Sequence, residues 1–177
     1  MFKKLLCLSS LIILLASCSR TEAPDAPAAG NFDLLIINGS VYDGYGSEPQ
    51  MADVAITGDR IVAVGKNLGD ARQTIDATGL AVAPGFINML SWATQTLIED
   101  GASQSDIRQG VTLEVMGEGW SMGPLSDAMA DRLVSNQGDI RFEVEWRTLG
   151  EYLQYLEKRG IATNVASFVG ATTVRIH

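Results

Sequence analysis

Short apolar runs separated by turn residues fill residues 32–83. Asn38-Gly39 follows the first run, Gly58-Asp59 separates two later ones, and both pairs are typical of tight hairpin turns. The pattern predicts five or six short strands without a helix, which favours a small β-sandwich or part of one. The runs cover residues 32–37, 52–56, 60–64, 74–76 and 80–83.

After Pro84 the pattern changes to longer apolar runs that alternate with helical periodicity. Ser103 begins a predicted capping box, Gly110 ends the same predicted helix, and residues 148–158 place their apolar side chains on one helical face. The alternation of strand and helix indicates a parallel α/β fold. The predicted buried strands cover residues 85–90, 111–116 and 164–169, and the predicted helices cover residues up to 109, 126–135 and 148–158.

The first residues have the pattern of an exported protein. Two lysines precede an apolar run of about a dozen residues, which is too short to span a bilayer. Leu15 to Cys18 resembles the bacterial lipobox, so residues 1–17 are expected to be a signal peptide and Cys18 the lipidated residue. An ordinary signal peptide with an incidental cysteine is the alternative. Residues 18–31 are rich in alanine and proline, which predicts a flexible tether.

Composition narrows the range of partners. The net charge of −8 and the lack of a basic cluster argue against nucleic-acid binding. Membrane contact is therefore expected only through the lipid on Cys18, and the protein is expected to face the periplasm. Ser19, which follows the cysteine, favours sorting to the outer membrane. A hydrophobic content of 46% suits a packed domain. The single histidine is His177, which limits the chemistry that histidine could support.

Several segments in the expected order resemble the N-terminal part of the amidohydrolase superfamily. They are residues 33–44, 53–61 and 75–87. The resemblance is closest to the D-aminoacylase (N-acyl-D-amino-acid deacylase) branch and covers roughly residues 32–177. That branch is matched by Gly110-Val111-Thr112, by Gly117-Glu118-Gly119 and by Val169-Gly170.

This resemblance implies a (β/α)8 TIM barrel with a side β-sandwich. Residues 32–83 would form the sandwich portion, and residues 84–177 the first three β/α units of an incomplete barrel, since a closed barrel needs about 250 residues. It also implies an enzyme that hydrolyses non-peptide C–N (amide) bonds of small molecules, such as N-acyl-D-amino acids. The implied nucleophile is water activated by a divalent metal, with zinc as the expected ion.

The metal positions of the family are altered in this chain. After the first barrel strand the family places Asp-x-His-x-His, whereas Leu90 and Trp92 stand at the two histidine positions. The position of the metal-binding cysteine falls near Gly119, and Ala171 stands where the family often has histidine. A normal binuclear centre is therefore excluded. A single-metal site in the full-length parent remains, in which Glu118 would supply an oxygen ligand.

The candidate site residues each have a plainer interpretation. Glu118 is alternatively a solvated loop carboxylate, and His177 is interpreted as an exposed terminal residue. Leu90, Trp92 and Trp120 are predicted to line a pocket, and core packing is the alternative for the tryptophans. No catalytic residue is assigned. The alternatives to a hydrolase are a non-catalytic ligand-binding lipoprotein and an inactive truncated gene product, and residues 1–177 alone are expected to be inactive.

Overall fold

The computed structural model describes residues 31–177, so the predicted signal peptide and Cys18 lie outside the described residues. The described residues form two compact units. One contains the described residues up to Val41 together with Pro49–Val82, and the other contains Tyr42–Glu48 and Ala83–His177. The strands are β1 (Phe32–Val41), β2 (Gln50–Thr57), β3 (Arg60–Gly65), β4 (Ala71–Asp76), β5 (Ala81–Val82), β6 (Phe86–Asn88), β7 (Val111–Met116) and β8 (Asn164–Ser167). The helices are α1 (Thr96–Glu99), α2 (Gln104–Ile107), α3 (Asp127–Ser135), α4 (Leu149–Arg159) and α5 (Ala171–Ile176).

The first unit is one mixed sheet. Its strands run in the order β3-β2-β1-β4, and β5 also pairs with β1. The predicted two-residue turn at Gly58-Asp59 is confirmed, because Thr57 pairs with Arg60 across the hairpin. Phe32, Leu35 and Ala55 form the buried core. A second, facing sheet is not found in this unit among the described residues, so the sandwich stays a prediction.

The predicted turn at Asn38-Gly39 is wrong, because β1 continues through both residues. The register with β2 shifts between Ile36 and Gly39, which marks a β-bulge. Asn38 has a φ of 61°, and its backbone N–H donates to Asp53 Oδ1 at 3.0 Å. Its side-chain amide donates to Asp76 Oδ1 at 3.1 Å. These two bonds hold asparagine in a left-handed conformation inside a strand, where the sequence pair alone indicated a turn.

The second unit contains a parallel sheet in the order β6-β7-β8. This arrangement, with the helices between its strands, confirms the predicted mixed α/β class, and the sheet is open within the described residues. The prediction that the strand at 85–90 is buried is wrong. Phe86 is 62% exposed and Ile87 is 54% exposed, because within residues 31–177 β6 lies at the edge of its sheet and pairs with β7 alone.

The helices of the second unit differ in how well the sequence predicted them. The two later helices are confirmed as α3 and α4. The stretch predicted as helical up to residue 109 instead contains only two single-turn helices, α1 and α2. Ser103 makes no capping bond and has a φ of 44°. Its hydroxyl is buried and donates to Glu114 Oε1 at 3.0 Å, so a tertiary hydrogen bond replaces the predicted cap.

The core of the second unit is centred on Trp146. Its ring centroid lies 5.1 Å from that of Tyr152, and its indole N–H donates to the Met122 carbonyl at 2.7 Å. Leu97 and Leu156 are buried in the same cluster. This core fixes α4 and the loop after β7, and both contribute to the position of the site described below. Within residues 31–177, no helix combines the length and apolar character needed to cross a bilayer.

Candidate functional site

A cavity of about 450 Å³ lies at the carboxyl ends of the parallel strands. Ser91 follows β6, Gly117 and Glu118 follow β7, and Thr173 lies in α5 after β8, and all four residues line it. Ligands of parallel α/β proteins bind at this end of the strands, where the connecting segments are free to vary. We call this space the strand-end cavity.

The strand-end cavity has a mostly apolar lining. Trp92 and Trp120 both line it and are 68% and 54% exposed, so neither is a core residue. Leu90 is 53% exposed and is not part of the lining. A volume of this size and a lining of this kind are typical of small-molecule sites. The remaining large apolar lining residues are Met122, Leu125, Met129, Leu133 and Ile176.

The loop at residues 117–123, which we call the Trp120 loop, is held by buried hydrogen bonds. The Ser121 backbone N–H donates to Thr173 Oγ1 at 2.8 Å. The Gly170 N–H donates to Ser121 Oγ at 2.9 Å. A side chain at Gly170 would place its Cβ 2.6 Å from the Gly119 carbonyl oxygen, so only glycine permits this approach. The loop is therefore fixed in place while the Trp120 side chain stays exposed.

A buried carboxylate supports the part of the strand-end cavity that Ser91 lines. Glu114 is 0% exposed and accepts hydrogen bonds from three hydroxyl groups. The donors are Ser91 at 2.6 Å, Ser103 at 3.0 Å and Thr163 at 2.9 Å. This network fixes the segment that carries Ser91 and Trp92. These three hydrogen bonds indicate a structural role for Glu114 rather than a role in catalysis.

Tyr152 is buried near the same network. Burial, with a smaller contribution from the negative charge of Glu114, raises the pKa of the Tyr152 phenol well above its ordinary value. Its hydroxyl donates to the Thr94 carbonyl at 2.7 Å. The phenol therefore stays protonated and acts as a fixed hydrogen-bond donor beneath the segment after β6.

The described residues do not fit a metal centre. Glu118 is exposed on the Trp120 loop, and no group of three His, Cys, Asp or Glu side chains within residues 31–177 is placed to hold an ion. Leu90, Trp92 and Ala171 offer no donor atom on their side chains. His177, as expected, is exposed. We therefore assign no metal-dependent step to these residues.

No protein-family model matches the chain. Over 150 residues it is 37% identical to a D-aminoacylase of Alcaligenes xylosoxydans xylosoxydans, covering 81% of this chain and 30% of that enzyme. The chain is a homologue of D-aminoacylase. Over 159 residues it is also 33% identical to an N-acyl-D-aspartate deacylase of the same organism, covering 89% of this chain and 31% of that enzyme. The resemblance to the D-aminoacylase branch is confirmed.

Solved structures give the same relationship. A D-aminoacylase described as defining a novel subset of amidohydrolases superposes with a TM-score of 0.68 at 36% identity, covering 81% of this chain and 31% of its own. An N-acyl-D-glutamate deacylase from Bordetella bronchiseptica, complexed with zinc and a phosphonate inhibitor, gives a TM-score of 0.68 at 29% identity, covering 82% and 31%. The chain thus spans about 31% of the length of these D-aminoacylase homologues.

Sequence reasoning missed several residues of the strand-end cavity. Arg132 and Met129 line it from α3, whose amphipathic spacing was visible but was not connected to a site. Ser121 and Thr173 hold the Trp120 loop through a contact 52 residues apart in sequence. No local pattern signals such a pair. The glycines of the loop were the one available sign of close backbone packing.

Proposed function

We propose that this protein is an amidohydrolase that cleaves the amide bond of N-acyl-D-amino acids. The observation that carries the proposal is the homology to D-aminoacylase at 37% identity over 81% of the chain. The N-acyl-D-aspartate and N-acyl-D-glutamate deacylases support the same substrate class. The strand-end cavity adds a space of small-molecule size at the end of the sheet where α/β enzymes bind their substrates.

The proposal includes a complete (β/α)8 barrel. Strands β6, β7 and β8 are parallel and adjacent in chain order, with helices between them, as the first three units of such a barrel would be. The five-stranded sheet of the first unit would form part of the accompanying β-sandwich. The superposition on D-aminoacylase supports both expectations.

The proposal includes a divalent metal because solved structures of two relatives contain metal ions. One solved D-aminoacylase, with a TM-score of 0.69, has a binuclear metal centre. The deacylase of Bordetella bronchiseptica is complexed with zinc. Among residues 31–177, Glu118 is the only carboxylate that lines the strand-end cavity. We therefore propose at most one ligand from this part of the chain, in a single zinc site whose other ligands would come from elsewhere in the protein.

The native full-length protein, purified with its own metal, tests this function. We expect the protein to release free amino acid from N-acyl-D-amino acids and to leave the L-enantiomers intact. A chelator should abolish the activity and zinc should restore it. Glu118→Gln should reduce the zinc content measured by elemental analysis, whereas Glu143→Gln, an exposed control, should not. Unchanged zinc content and turnover in Glu118→Gln would remove Glu118 from the metal site without affecting the proposed reaction.

We also propose export and lipid anchoring through Cys18, supported by the sequence of residues 1–18. The chain provides a matched control, because Cys7 lies inside the expected signal peptide. Expression in bacteria with a labelled fatty acid should label the native protein and the Cys7→Ser variant. Cys18→Ala should remove the label. Equal labelling of all three would contradict the proposal.

A non-catalytic binding protein is the second candidate. It is favoured by the apolar side chains at the family's metal positions, Leu90 and Trp92, and by the absence of a metal cluster within residues 31–177. Stoichiometric binding of an N-acyl-D-amino acid by the native protein, without turnover in the presence of zinc, would identify this function in place of the hydrolase.

A further inference from the structure

Residues 141–145, which we call the edge segment, lie between α3 and α4 and belong to no helix or strand. Their side chains alternate in exposure. Phe142 and Val144 are half-buried and pack against the core of the second unit. The exposed residues are Arg141, Glu143 and Glu145. Alternation with a period of two is typical of an extended strand, in which successive side chains point to opposite sides.

The main chain of the edge segment is bonded on one side. The Phe142 N–H donates to Gln137 Oε1 at 3.2 Å, and the Phe142 carbonyl accepts from Gln137 Nε2 at 2.8 Å. In an extended chain the main-chain groups of the neighbouring residues point the opposite way. Among residues 31–177, no hydrogen bond uses the main-chain groups of Arg141, Glu143 or Glu145. These groups form an unpaired edge, which is a template for a further strand.

The exposed side chains of the edge segment carry charges of both signs. Within residues 31–177, no ion pair involves Arg141, Glu143 or Glu145. Charges of one sign along an edge keep other strands away. Here their order is self-complementary, because an antiparallel copy centred on Glu143 places Arg141 opposite Glu145 of the second copy. The same pair forms again on the other side of the axis, and opposite charges across two strands stabilise their pairing.

We propose that the edge segment pairs with the same segment of a second copy of this chain, antiparallel and with a two-fold axis at Glu143. The open main-chain groups supply the hydrogen bonds, and the two Arg141–Glu145 pairs select the register. A contact of this size is small, so the dimer forms in a concentration-dependent way. The pairing is independent of the proposed hydrolysis, because it needs neither metal nor substrate and the edge segment does not line the strand-end cavity.

Sedimentation velocity of native full-length protein over a range of concentrations tests the pairing. The native protein should shift from monomer to dimer as the concentration rises. Arg141→Glu and Glu145→Arg should each weaken self-association by about tenfold or more, because each variant places like charges opposite each other twice. An equimolar mixture of the two variants should regain the association, since every Arg–Glu pair of the mixed dimer is again of opposite charge.

The like pair at the two-fold axis gives a gain-of-affinity test. Glu143→Gln removes the repulsion between the two copies of this carboxylate and should strengthen self-association by about threefold. Lys158→Glu is the matched control, since it reverses an exposed charge on α4 outside the edge segment. It should associate as the native protein does, and circular dichroism should show that every variant is folded.

Amide hydrogen exchange locates the contact. The Glu143 N–H should exchange slowly in the native dimer and fast in Arg141→Glu. The Phe142 N–H, which is bonded to Gln137 within the same copy, should exchange at the same rate in both proteins.

Two kinds of result would overturn the proposal. A monomer at every concentration would show that the edge segment is protected by its charges or covered by another part of the chain. A dimer that persists in both charge-reversal variants, or a mixture that stays monomeric, would show that the Arg141–Glu145 pairs do not form. None of these measurements uses deacylase activity, so failure of the proposed function is recognised separately.

Discussion

The Ser91 hydroxyl donates a 2.6 Å hydrogen bond to the buried carboxylate of Glu114, 23 residues later in the chain. Glu114 has no cation partner among the described residues, and three hydroxyls supply its hydrogen bonds. A buried carboxylate is tolerated only when its oxygens are satisfied in this way. The bond therefore links the interior of β7 directly to the segment that carries Trp92.

Glu114→Ala should destabilise the protein substantially. The substitution leaves three buried hydroxyls without their acceptor and opens a cavity, so we expect a loss of about 3 kcal/mol in the free energy of unfolding. Urea denaturation of the native protein and the variant measures it. The control is Glu118→Ala, whose exposed side chain should change stability by no more than about 0.5 kcal/mol. Equal stability of the two variants would contradict the described network.

The N-terminus of α4 provides a second test. Thr148 forms a capping box with Glu151, whereas Ser126 at the start of α3 makes no side-chain capping bond. Thr148→Ala should therefore reduce the free energy of unfolding by about 1 kcal/mol, as lost caps do. Ser126→Ala should have almost no effect. Thermal unfolding of both variants gives the comparison, and a larger loss for Ser126→Ala would contradict the assigned caps.

The pH dependence of stability should include a contribution from Glu151. The backbone N–H groups of Thr148 and Arg147 donate to its carboxylate and hold its pKa below the ordinary value of 4.5. Folding therefore favours the charged form. The contribution is complete above pH 4.5 and is lost as the pH falls through the lowered pKa of the folded protein.

Glu151→Gln should remove that contribution. The variant should be less stable than the native protein near neutral pH, and the difference should narrow as the pH falls below 4.5. Denaturation curves at a series of pH values measure it. Glu157→Gln, on the same helix, serves as the control because its carboxylate accepts no hydrogen bond within the described residues. A pH-independent difference for Glu151→Gln would contradict the assigned hydrogen bonds.

The Trp120 loop should depend on the Thr173 hydroxyl. Thr173→Val keeps the shape of the side chain but leaves the buried Ser121 N–H without its acceptor, which costs about 1–3 kcal/mol. Hydrogen exchange at Ser121 should accelerate, and Trp120 should become more mobile by fluorescence anisotropy. Thr173→Ser retains the hydroxyl and should preserve the slow exchange. Fast exchange at Ser121 in the native protein would show that the loop is not held by this bond.

Local patterns predicted part of the fold. The apolar period of α4 and the strand β7 after Gly110 could be predicted because neighbouring residues determine them. The bulge at Asn38 and the missing cap at Ser103 could not be predicted from the neighbouring residues. Both residues bond to side chains more than ten positions away, Asp53 and Glu114, and these bonds override the local preference for a turn or a cap.

The site was predictable only at the level of the family. The resemblance at residues 33–44 and 75–87 led to the amidohydrolase superfamily, and that at residues 110–112 and 117–119 led to its D-aminoacylase branch. The homology confirms the D-aminoacylase resemblance. The position of Arg132 in the strand-end cavity was not predictable, because it depends on how α3 packs against the loop after β7. An exposed arginine in an amphipathic helix has the same pattern in a binding site as on an ordinary solvent-facing surface.

The central claim, that this homologue of D-aminoacylase is a deacylase, is tested most directly by a chiral assay. Native full-length protein with zinc is incubated with matched D- and L-enantiomers of an N-acyl amino acid, and the freed amino acid is separated on a chiral column. The account predicts release of the D-amino acid, its loss on chelation and no release of the L-amino acid. If neither enantiomer is cleaved in the presence of zinc, although the protein binds the N-acyl-D-amino acid stoichiometrically, the claim is contradicted.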